Sequence, residues 1–159
     1  MNAMRESRDR PHELRLDLPA AHSAERMARS VLRRFARGEG VPPPEVEKLE
    51  FVAGELLSNA VDHGGGARAM EECDRPGDVR MSLVLAITPG GWALEVADQG
   101  GGDPSDVEAL LAQQGEPDLE DERGRGFYLM AGMLESLSVA RSADGRGLVF
   151  RAVRGHGRP

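Results

Sequence analysis

The chain has 159 residues, of which 40% are hydrophobic and 30% are charged, a composition typical of one globular domain with a single core. Its formal net charge of −7 gives no electrostatic basis for binding nucleic acid, whose phosphates require clustered Lys and Arg. One cysteine excludes an intrachain disulfide and a cysteine-based zinc cluster. The polar N-terminus and the lack of a run of roughly 18 apolar residues predict a cytoplasmic protein with no membrane segment.

The scarcity of lysine narrows the ways in which the chain could bind a nucleotide. Lys48 is the only lysine, and it lies in a predicted helix that prolines begin. A P-loop requires lysine before Ser or Thr, and the eukaryotic protein-kinase fold requires a lysine on a strand. Neither site can be built here, so a nucleotide site would have to be of another type.

In chain order, the N-terminal part predicts a tail, a strand and a helix. Residues 1–11 are charged and without pattern, and we expect them to be disordered. Residues 12–19 alternate apolar and polar side chains, which is typical of a half-buried strand. Residues 21–37 have apolar side chains three and four apart, which predicts an amphipathic helix. Its apolar positions are Ala24, Met27, Val31, Leu32 and Phe35.

Three prolines open a second predicted helix, which ends at three glycines before a predicted loop over 64–78. Its predicted core stripe is Leu49, Val52, Ala53, Leu56 and Ala60. Glu55, Asn59 and His63 recur every four residues, so they share one helical stripe. A carboxylate and an amide beside an apolar face cost free energy unless something pairs with them. We interpret the partner as a magnesium–nucleotide complex; the alternative is a solvated polar stripe.

The middle of the chain predicts two strands that lead to a carboxylate. Residues 79–87 and 92–97 alternate in hydropathy and are separated by a turn. Asp98 continues the inward-facing phase of the second strand and is followed by Gly100 and Gly102. An aspartate before glycine is also common turn chemistry, so Asp98 has a purely structural alternative.

The C-terminal part predicts two helices and a hairpin. A capping box at Ser105 predicts a short helix that ends near residue 113, and a second helix is predicted over 127–137. The inward-facing residues of that helix are Phe127, Met130, Met133 or Leu134, and Leu137. The last strands turn at Asp144-Gly145. This order predicts an α+β fold, a two-layer sandwich whose mixed, mostly antiparallel sheet is covered on one face by helices.

Three segments resemble the nucleotide-binding boxes of the GHKL ATPase superfamily, which includes gyrase, a heat-shock chaperone, histidine kinases and MutL. They are ELLSNAVDHG at 55–64, DQGGG at 98–102 and RGRGFYLM at 123–130. Within the superfamily, the chain is most similar to small stand-alone serine kinases that act as anti-sigma factors in bacterial partner switching. The resemblance covers residues 12–154 and implies a single histidine-kinase-like (Bergerat) ATP-binding domain, with a lid over about 103–126 and a tail at 155–159.

The resemblance implies roles for the polar residues of the first two boxes. Glu55 matches the base that polarises the attacking hydroxyl or water, and Asn59 matches the oxygen ligand of Mg²⁺. Asp98 matches the acid that accepts a hydrogen bond from the adenine amino group. Gly100 and Gly102 match the glycines that let the backbone approach ATP.

The third box is implied to bind phosphate. Gly124 and Gly126 would place backbone amides at the start of the helix over 127–137, where the helix dipole favours an anion. Phe127 is part of the same nucleotide-binding segment.

Three basic residues are further candidates at the phosphates. Arg123 and Arg125 would contact the β- or γ-phosphate when the lid is closed, and the alternative for both is an ordinary surface arginine. His63 lies near the phosphates in this arrangement, but it could equally satisfy carbonyl groups at the helix end.

The resemblance implies an ATP-dependent protein serine kinase that holds a sigma factor inactive and phosphorylates a small antagonist, an anti-anti-sigma protein. It also allows a homodimer. Two alternatives remain: a nucleotide-gated binding module without kinase activity, and the catalytic half of a split histidine kinase. Two features depart from the pattern of the small kinases. The loop at 64–78 is longer than usual, and residues 119–122 of the lid are acidic.

Overall fold

A computed structural model describes residues 11–63, 79–112 and 120–155. Within them, five strands and four helices follow in the order β1 His12–Pro19, α1 His22–Gly38, α2 Pro43–Asp62, β2 Arg80–Thr88, β3 Gly91–Ala97, α3 Pro104–Leu111, α4 Glu122–Met133, β4 Ser136–Arg141 and β5 Leu148–Gly155. The predicted loop at 64–78, almost all of the predicted N-terminal tail and most of the C-terminal tail lie outside the described residues. The domain boundaries therefore stay predictions.

The five strands form one sheet in the order β1-β2-β3-β5-β4, and every pairing in the described part of the chain is antiparallel. Alternate side chains of β2 and β3 are buried, because successive residues of a strand point to opposite faces. Those buried residues include Met81, Leu83, Leu85, Ile87, Trp92, Leu94 and Val96. The helices pack on this apolar face, which confirms the predicted α+β sandwich with one covered face.

Helix α2 supplies the centre of the helical layer. It begins with prolines in its first turn, where a missing N–H costs nothing. Its buried residues are Val46, Leu49, Val52, Ala53, Leu56, Leu57, Ala60 and Val61, which include the whole predicted core stripe. Among the described residues, no helix has both the length and the apolar character that crossing a membrane requires.

Helix α1 buries a different stripe from the one predicted. Its buried residues are Ala24, Ala28, Leu32 and Ala36. The inward position predicted for Met27 and Val31 is wrong, because their side chains are 55% and 37% exposed. Alanines spaced four apart form a low ridge, which lets α1 approach α2 closely. The side of α1 with small residues therefore faces α2, and the side with the larger residues does not.

The starts of α3 and α4 also differ from prediction. The predicted capping box at Ser105 is wrong: α3 begins at Pro104, and Asp103 caps it by accepting hydrogen bonds from the Ser105 N–H at 2.9 Å and hydroxyl at 2.7 Å. Helix α4 begins at Glu122, where Asp121 caps it by accepting from the Gly124 N–H at 3.1 Å.

The prediction that Gly124 and Gly126 precede a helix over 127–137 is therefore wrong. Both glycines lie inside α4, which ends at Met133, and Leu137 belongs to β4. Phe127 and Met130 are buried as predicted. The aspartate cap, rather than the last glycine, decides where this helix begins.

Candidate functional site

The first part of the site is Asp98, which directly follows β3. Its side chain is 7% exposed, and its Oδ1 accepts hydrogen bonds from two backbone amides, Gly100 N at 3.0 Å and Leu148 N at 3.1 Å. The Asp98 N–H donates to the Leu148 carbonyl at 2.9 Å. These bonds fix the carboxylate at the end of the sheet, and its Oδ2 accepts no hydrogen bond from another described residue.

The turn between β4 and β5 holds Asp98 in position. A Cβ on Gly147 would overlap both the carbonyl oxygen and Oδ1 of Asp98, so only glycine fits there. The Ser142 hydroxyl accepts from Gly147 N at 3.1 Å and donates to Asp144 Oδ1 at 2.7 Å. Gln99 joins the same turn by donating to Asp144 Oδ2 at 3.2 Å. The acceptor is thus held by a turn 50 residues later in the chain.

The glycines after Asp98 differ in what they do. Gly100 supplies the amide that binds Asp98. Gly101 has a φ of +73° and donates to the Arg146 carbonyl at 2.7 Å, so it carries the left-handed conformation that the turn needs. A Cβ on Gly102 would lie 3.2 Å from Leu148 Cδ1, which is tight contact. Gly100 and Gly102 are exposed, so their backbone is open to a ligand.

The second part of the site is Glu55, between α2 and α4. A Cβ on Gly126 would overlap Glu55 Oε2, so the carboxylate lies directly against the backbone of α4. Gly126 is buried, and the close approach of a side chain explains a glycine inside this helix. Glu55 makes no hydrogen bond or ion pair with another described residue.

Charges from two helices surround Glu55 and compete with its burial. Burial raises the pKa of Glu55 because it disfavours the charged form. Arg125 of α4 and Arg29 of α1 lower that pKa, whereas Glu25 of α1 and Glu122 of α4 raise it. Desolvation thus opposes the charged form of Glu55, while the two arginines favour it.

Asn59 and His63 follow Glu55 along α2. Asn59 is half-buried, and its side chain has no hydrogen-bond partner among the described residues. His63 is the C-cap of α2, and its N–H donates to the Asn59 carbonyl at 2.9 Å. Burial, and then the nearby charge of Arg123, lower the pKa of the His63 imidazole, which therefore favours its neutral form.

Arg123 of α4 acts on the first part of the site, at Asp98. Its guanidinium carbon lies 5.6 Å above the Phe127 ring, and Phe127 stacks on Phe150 with centroids 5.7 Å apart. Burial lowers the pKa of Arg123, while Asp98 and Asp121 act in the opposite direction. Its Nε is buried and has no hydrogen-bond partner among the described residues. An aromatic ring, a buried donor and the Asp98 carboxylate thus lie together at the end of the sheet.

The structure places five of the eleven predicted site residues in two groups. Asp98, Gly100 and Gly102 form one group, and Glu55 with Gly126 forms the other. Arg125 is exposed but acts electrostatically on Glu55. Gly124 lies close to Asp121, the residue that caps α4, since a Cβ on Gly124 would lie 2.8 Å from Asp121 Oδ2. The ligand roles of these residues stay predictions.

Sequence reasoning missed three residues that shape the site. Ser142, Gly147 and Leu148 fix Asp98 from the last hairpin, which the sequence identified only as a turn. The signal available in the sequence was a second glycine after Asp144-Gly145, which a two-residue turn does not require. It indicates a close approach, but it does not say to which residue.

Comparison with known proteins identifies the fold. Residues 18–152 match the model of the histidine kinase-like ATPase domain family. One chain of the SiaB–SiaC complex from Pseudomonas aeruginosa has a TM-score of 0.64 and 21% identity, covering 96% of this chain and 97% of that one.

The RsbU and RsbW domains of a Mycobacterium tuberculosis protein give a TM-score of 0.56 and 19% identity over 93% of this chain. This chain spans 33% of that protein. At such identities the likeness shows a shared fold. No curated protein sequence matches the chain. The family match confirms the predicted resemblance: the chain belongs to the histidine kinase-like ATPase domain family.

Proposed function

We propose that the protein is an ATP-dependent partner-switching regulator. In one state it transfers the γ-phosphoryl group of ATP to a serine of a small antagonist protein, and in the other it sequesters a sigma factor. Membership of an ATPase-domain family supports the proposal that the chain binds ATP. The occurrence of the same fold in the SiaB–SiaC complex and beside an RsbU domain supports a protein partner.

The observation that carries this proposal is the contrast between the two carboxylates of the site. Asp98 is held rigidly by backbone amides and offers one fixed acceptor oxygen, as recognition of the adenine amino group requires. Glu55 has no such bonds and a raised pKa, as a general base requires. One carboxylate is built to bind and the other to exchange a proton.

Asn59 fits a role as a ligand of Mg²⁺. Its amide oxygen is a hard donor, and it lies one helical turn beyond Glu55 without a hydrogen-bond partner among the described residues. No group of three His, Cys, Asp or Glu side chains that could hold a metal occurs in the described ranges. An ion held by Asn59 would neutralise charge on the transferred group.

The residues of this chain divide the reaction between them. Asp98 orients the adenine ring through its second carboxylate oxygen. Arg123 and Arg125 are placed to balance the negative charge of the phosphates. Glu55 accepts the proton of the serine hydroxyl as the serine oxygen attacks the γ-phosphorus, the bond from that phosphorus to the β–γ bridging oxygen breaks, and ADP leaves. Desolvation of Glu55 strengthens it as a base, and the contribution expected of such a base is roughly 10²–10⁴-fold in rate.

The first experiment measures ATP binding and phosphoryl transfer separately. We expect calorimetry with ATP and Mg²⁺ to show binding that Asp98→Ala abolishes and Glu55→Gln retains. Transfer of label from γ-labelled ATP to candidate antagonists should fall by roughly 10²–10⁴-fold in Glu55→Gln. Asn59→Ala should remove the dependence on magnesium. Full transfer activity in Glu55→Gln would contradict the assignment of the base.

The second experiment identifies the phosphorylated residue. Phosphoserine is stable to acid, whereas phosphohistidine is stable to alkali, so the stability of the labelled product distinguishes a serine kinase from half of a histidine kinase. ATP-dependent binding of the antagonist with no transfer of label would instead identify a nucleotide-gated binding module.

A further inference from the structure

Arg29 of α1 packs directly on the backbone of α2 beside Glu55. A Cβ built on Gly54 would lie 3.4 Å from Arg29 Nε, 3.5 Å from Cζ and 3.6 Å from Cδ. Glycine is unfavourable inside a helix, and Gly54 lies in the middle of α2. The guanidinium therefore lies against this position of α2, which is next to Glu55 in the sequence.

Arg29 is not held there by a hydrogen bond from its Nε. That atom is buried and has no hydrogen-bond partner among the described residues. Burying a donor without a partner is unfavourable, so packing alone does not account for an arginine at this position. A long-range interaction with a nearby anion would offset part of the cost.

Glu55 is the anion at hand. Four charged side chains act on it: Glu25 and Arg29 from α1, and Glu122 and Arg125 from α4. Glu25 is itself held by His22, whose Nδ1 lies 3.2 Å from Glu25 and whose Nε2 lies 3.0 Å from Asp62. Each of the two helices therefore contributes one acid and one arginine that act on Glu55.

The two pairs differ in how firmly the fold holds them. Helix α1 is anchored by Ala28, Leu32 and Ala36, none of which has any exposed surface. On α4, Arg125 is exposed, whereas Arg29 on α1 is half-buried. Solvent therefore screens the charge of Arg29 less than that of Arg125.

We propose that Arg29, which packs against α2 at Gly54, is a positioning residue that keeps Glu55 ionised. The catalytic meaning of the assignment rests on the proposed function, in which Glu55 accepts the serine proton. The electrostatic link between Arg29 and Glu55 does not, and it can be measured in the protein without nucleotide.

The decisive measurement is a carbon-13 NMR titration of the Glu55 carboxyl group in the full chain. We expect Arg29→Gln to raise the pKa of Glu55, because a favourable positive charge is lost. Glu25→Gln, one turn away on the same helix, should lower it, because a repulsive negative charge is lost. Opposite shifts from neighbouring residues support the proposal, and an unchanged pKa in Arg29→Gln overturns it.

Gly54 gives a test that leaves Arg29 itself intact. Alanine at 54 makes only ordinary contact with the guanidinium, so Gly54→Ala should leave the Glu55 titration unchanged. The γ-carbons of valine would occupy the space of the guanidinium, so Gly54→Val should raise the pKa as Arg29→Gln does. Equal titration in the alanine and valine variants would count against the proposal. This pair stays informative even if Arg29→Gln does not fold.

Activity then shows whether the link matters for catalysis. The acid limb of the pH–rate profile for phosphoryl transfer should move to higher pH in Arg29→Gln and to lower pH in Glu25→Gln, with the plateau rate unchanged. Arg29→Lys keeps the charge and should restore the limb. A shifted NMR titration in a protein that transfers no phosphate would uphold the link and reject the kinase. A normal acid limb in an active Arg29→Gln enzyme would overturn the positioning role.

Discussion

Two glutamates of α2, Glu45 in its first turn and Glu55 in its second half, have opposite environments. Glu45 accepts from Arg154 Nε at 2.5 Å and Nη2 at 2.9 Å, and from Lys48 at 3.1 Å. These partners lower the pKa of Glu45 to about 2. Arg154 also donates to the Met133 carbonyl, so this ion pair joins α2, β5 and the end of α4.

Glu55 has none of this support, and burial raises its pKa. Its partners among the described residues act only at a distance. The comparison teaches that the start of α2 fixes the helix to the sheet, whereas its second half keeps a carboxylate in an unfavourable state. Ionisable groups with perturbed pKa values are typical of functional sites, where activity is maintained at some cost in stability.

The largest effect that tests this comparison is the loss of Arg154. Arg154→Ala removes both bonds to Glu45 and leaves the Met133 carbonyl without its donor, so we expect the free energy of unfolding to fall by about 3 kcal/mol. Urea unfolding at pH 7 measures it. The matched control is Arg151→Ala on the same strand, whose ion pair with Glu95 at 3.2 Å is exposed and should be worth less than about 0.5 kcal/mol. Equal losses in the two variants would contradict a special role for the Glu45 pair.

The second prediction concerns acid. The pKa of Glu45 in the fold, about 2, lies below its ordinary value of 4.5. Its stabilisation is therefore fully present above pH 4.5 and is lost as the pH falls toward 2. The loss should amount to about 2–3 kcal/mol, and Glu45→Gln should lack that part of the acid dependence. Unfolding curves between pH 2 and 7 in both proteins test it. Identical acid dependence in the two would show that Glu45 is not the group that titrates.

Most of the fold could be predicted from the sequence because period and chain breakers act locally. The alternation in β1 to β3 and the apolar stripe of α2 are set by residues within each element. The exposed Met27 and Val31 could not be predicted, because the choice between two stripes of α1 depends on how closely α2 approaches. The start of α4 was missed because an aspartate cap decided it, not the glycines.

The site was predictable to the extent that its residues are neighbours in sequence. The burial of Asp98 follows from the phase of β3. The contact of Asp98 with Gly147 cannot be predicted in this way, because it depends on the pairing of β3 with β5, which are far apart in the sequence. The same is true of Gly126, whose glycine is required by Glu55 from another helix. Spacing predicts the candidate residues, and tertiary contacts decide what holds them in place.

The third prediction compares two glycines of α4. Gly126→Ala places a methyl group on Glu55 Oε2, so it should destabilise the fold by about 1–2 kcal/mol and reduce phosphoryl transfer. Gly132 has nothing within 4 Å of a built Cβ, so Gly132→Ala should gain up to about 1 kcal/mol of helix propensity. Thermal unfolding and transfer assays on both variants test the difference. A stabilised and fully active Gly126→Ala would show that Glu55 does not need this space.

The smallest effect is a gain in stability from removing the proposed base. Because the pKa of Glu55 in the fold is raised above its ordinary 4.5, the native state binds more protons between those two values, and stability falls as the pH rises through them. Glu55→Gln escapes this loss and should be more stable than the wild type at pH 8, with no gain below pH 4.5. Urea unfolding at pH 8 and pH 4 measures it. Glu47→Gln on the exposed face of the same helix controls for the loss of one negative charge, and an equal gain there would mean that net charge, not the desolvated state of Glu55, is responsible.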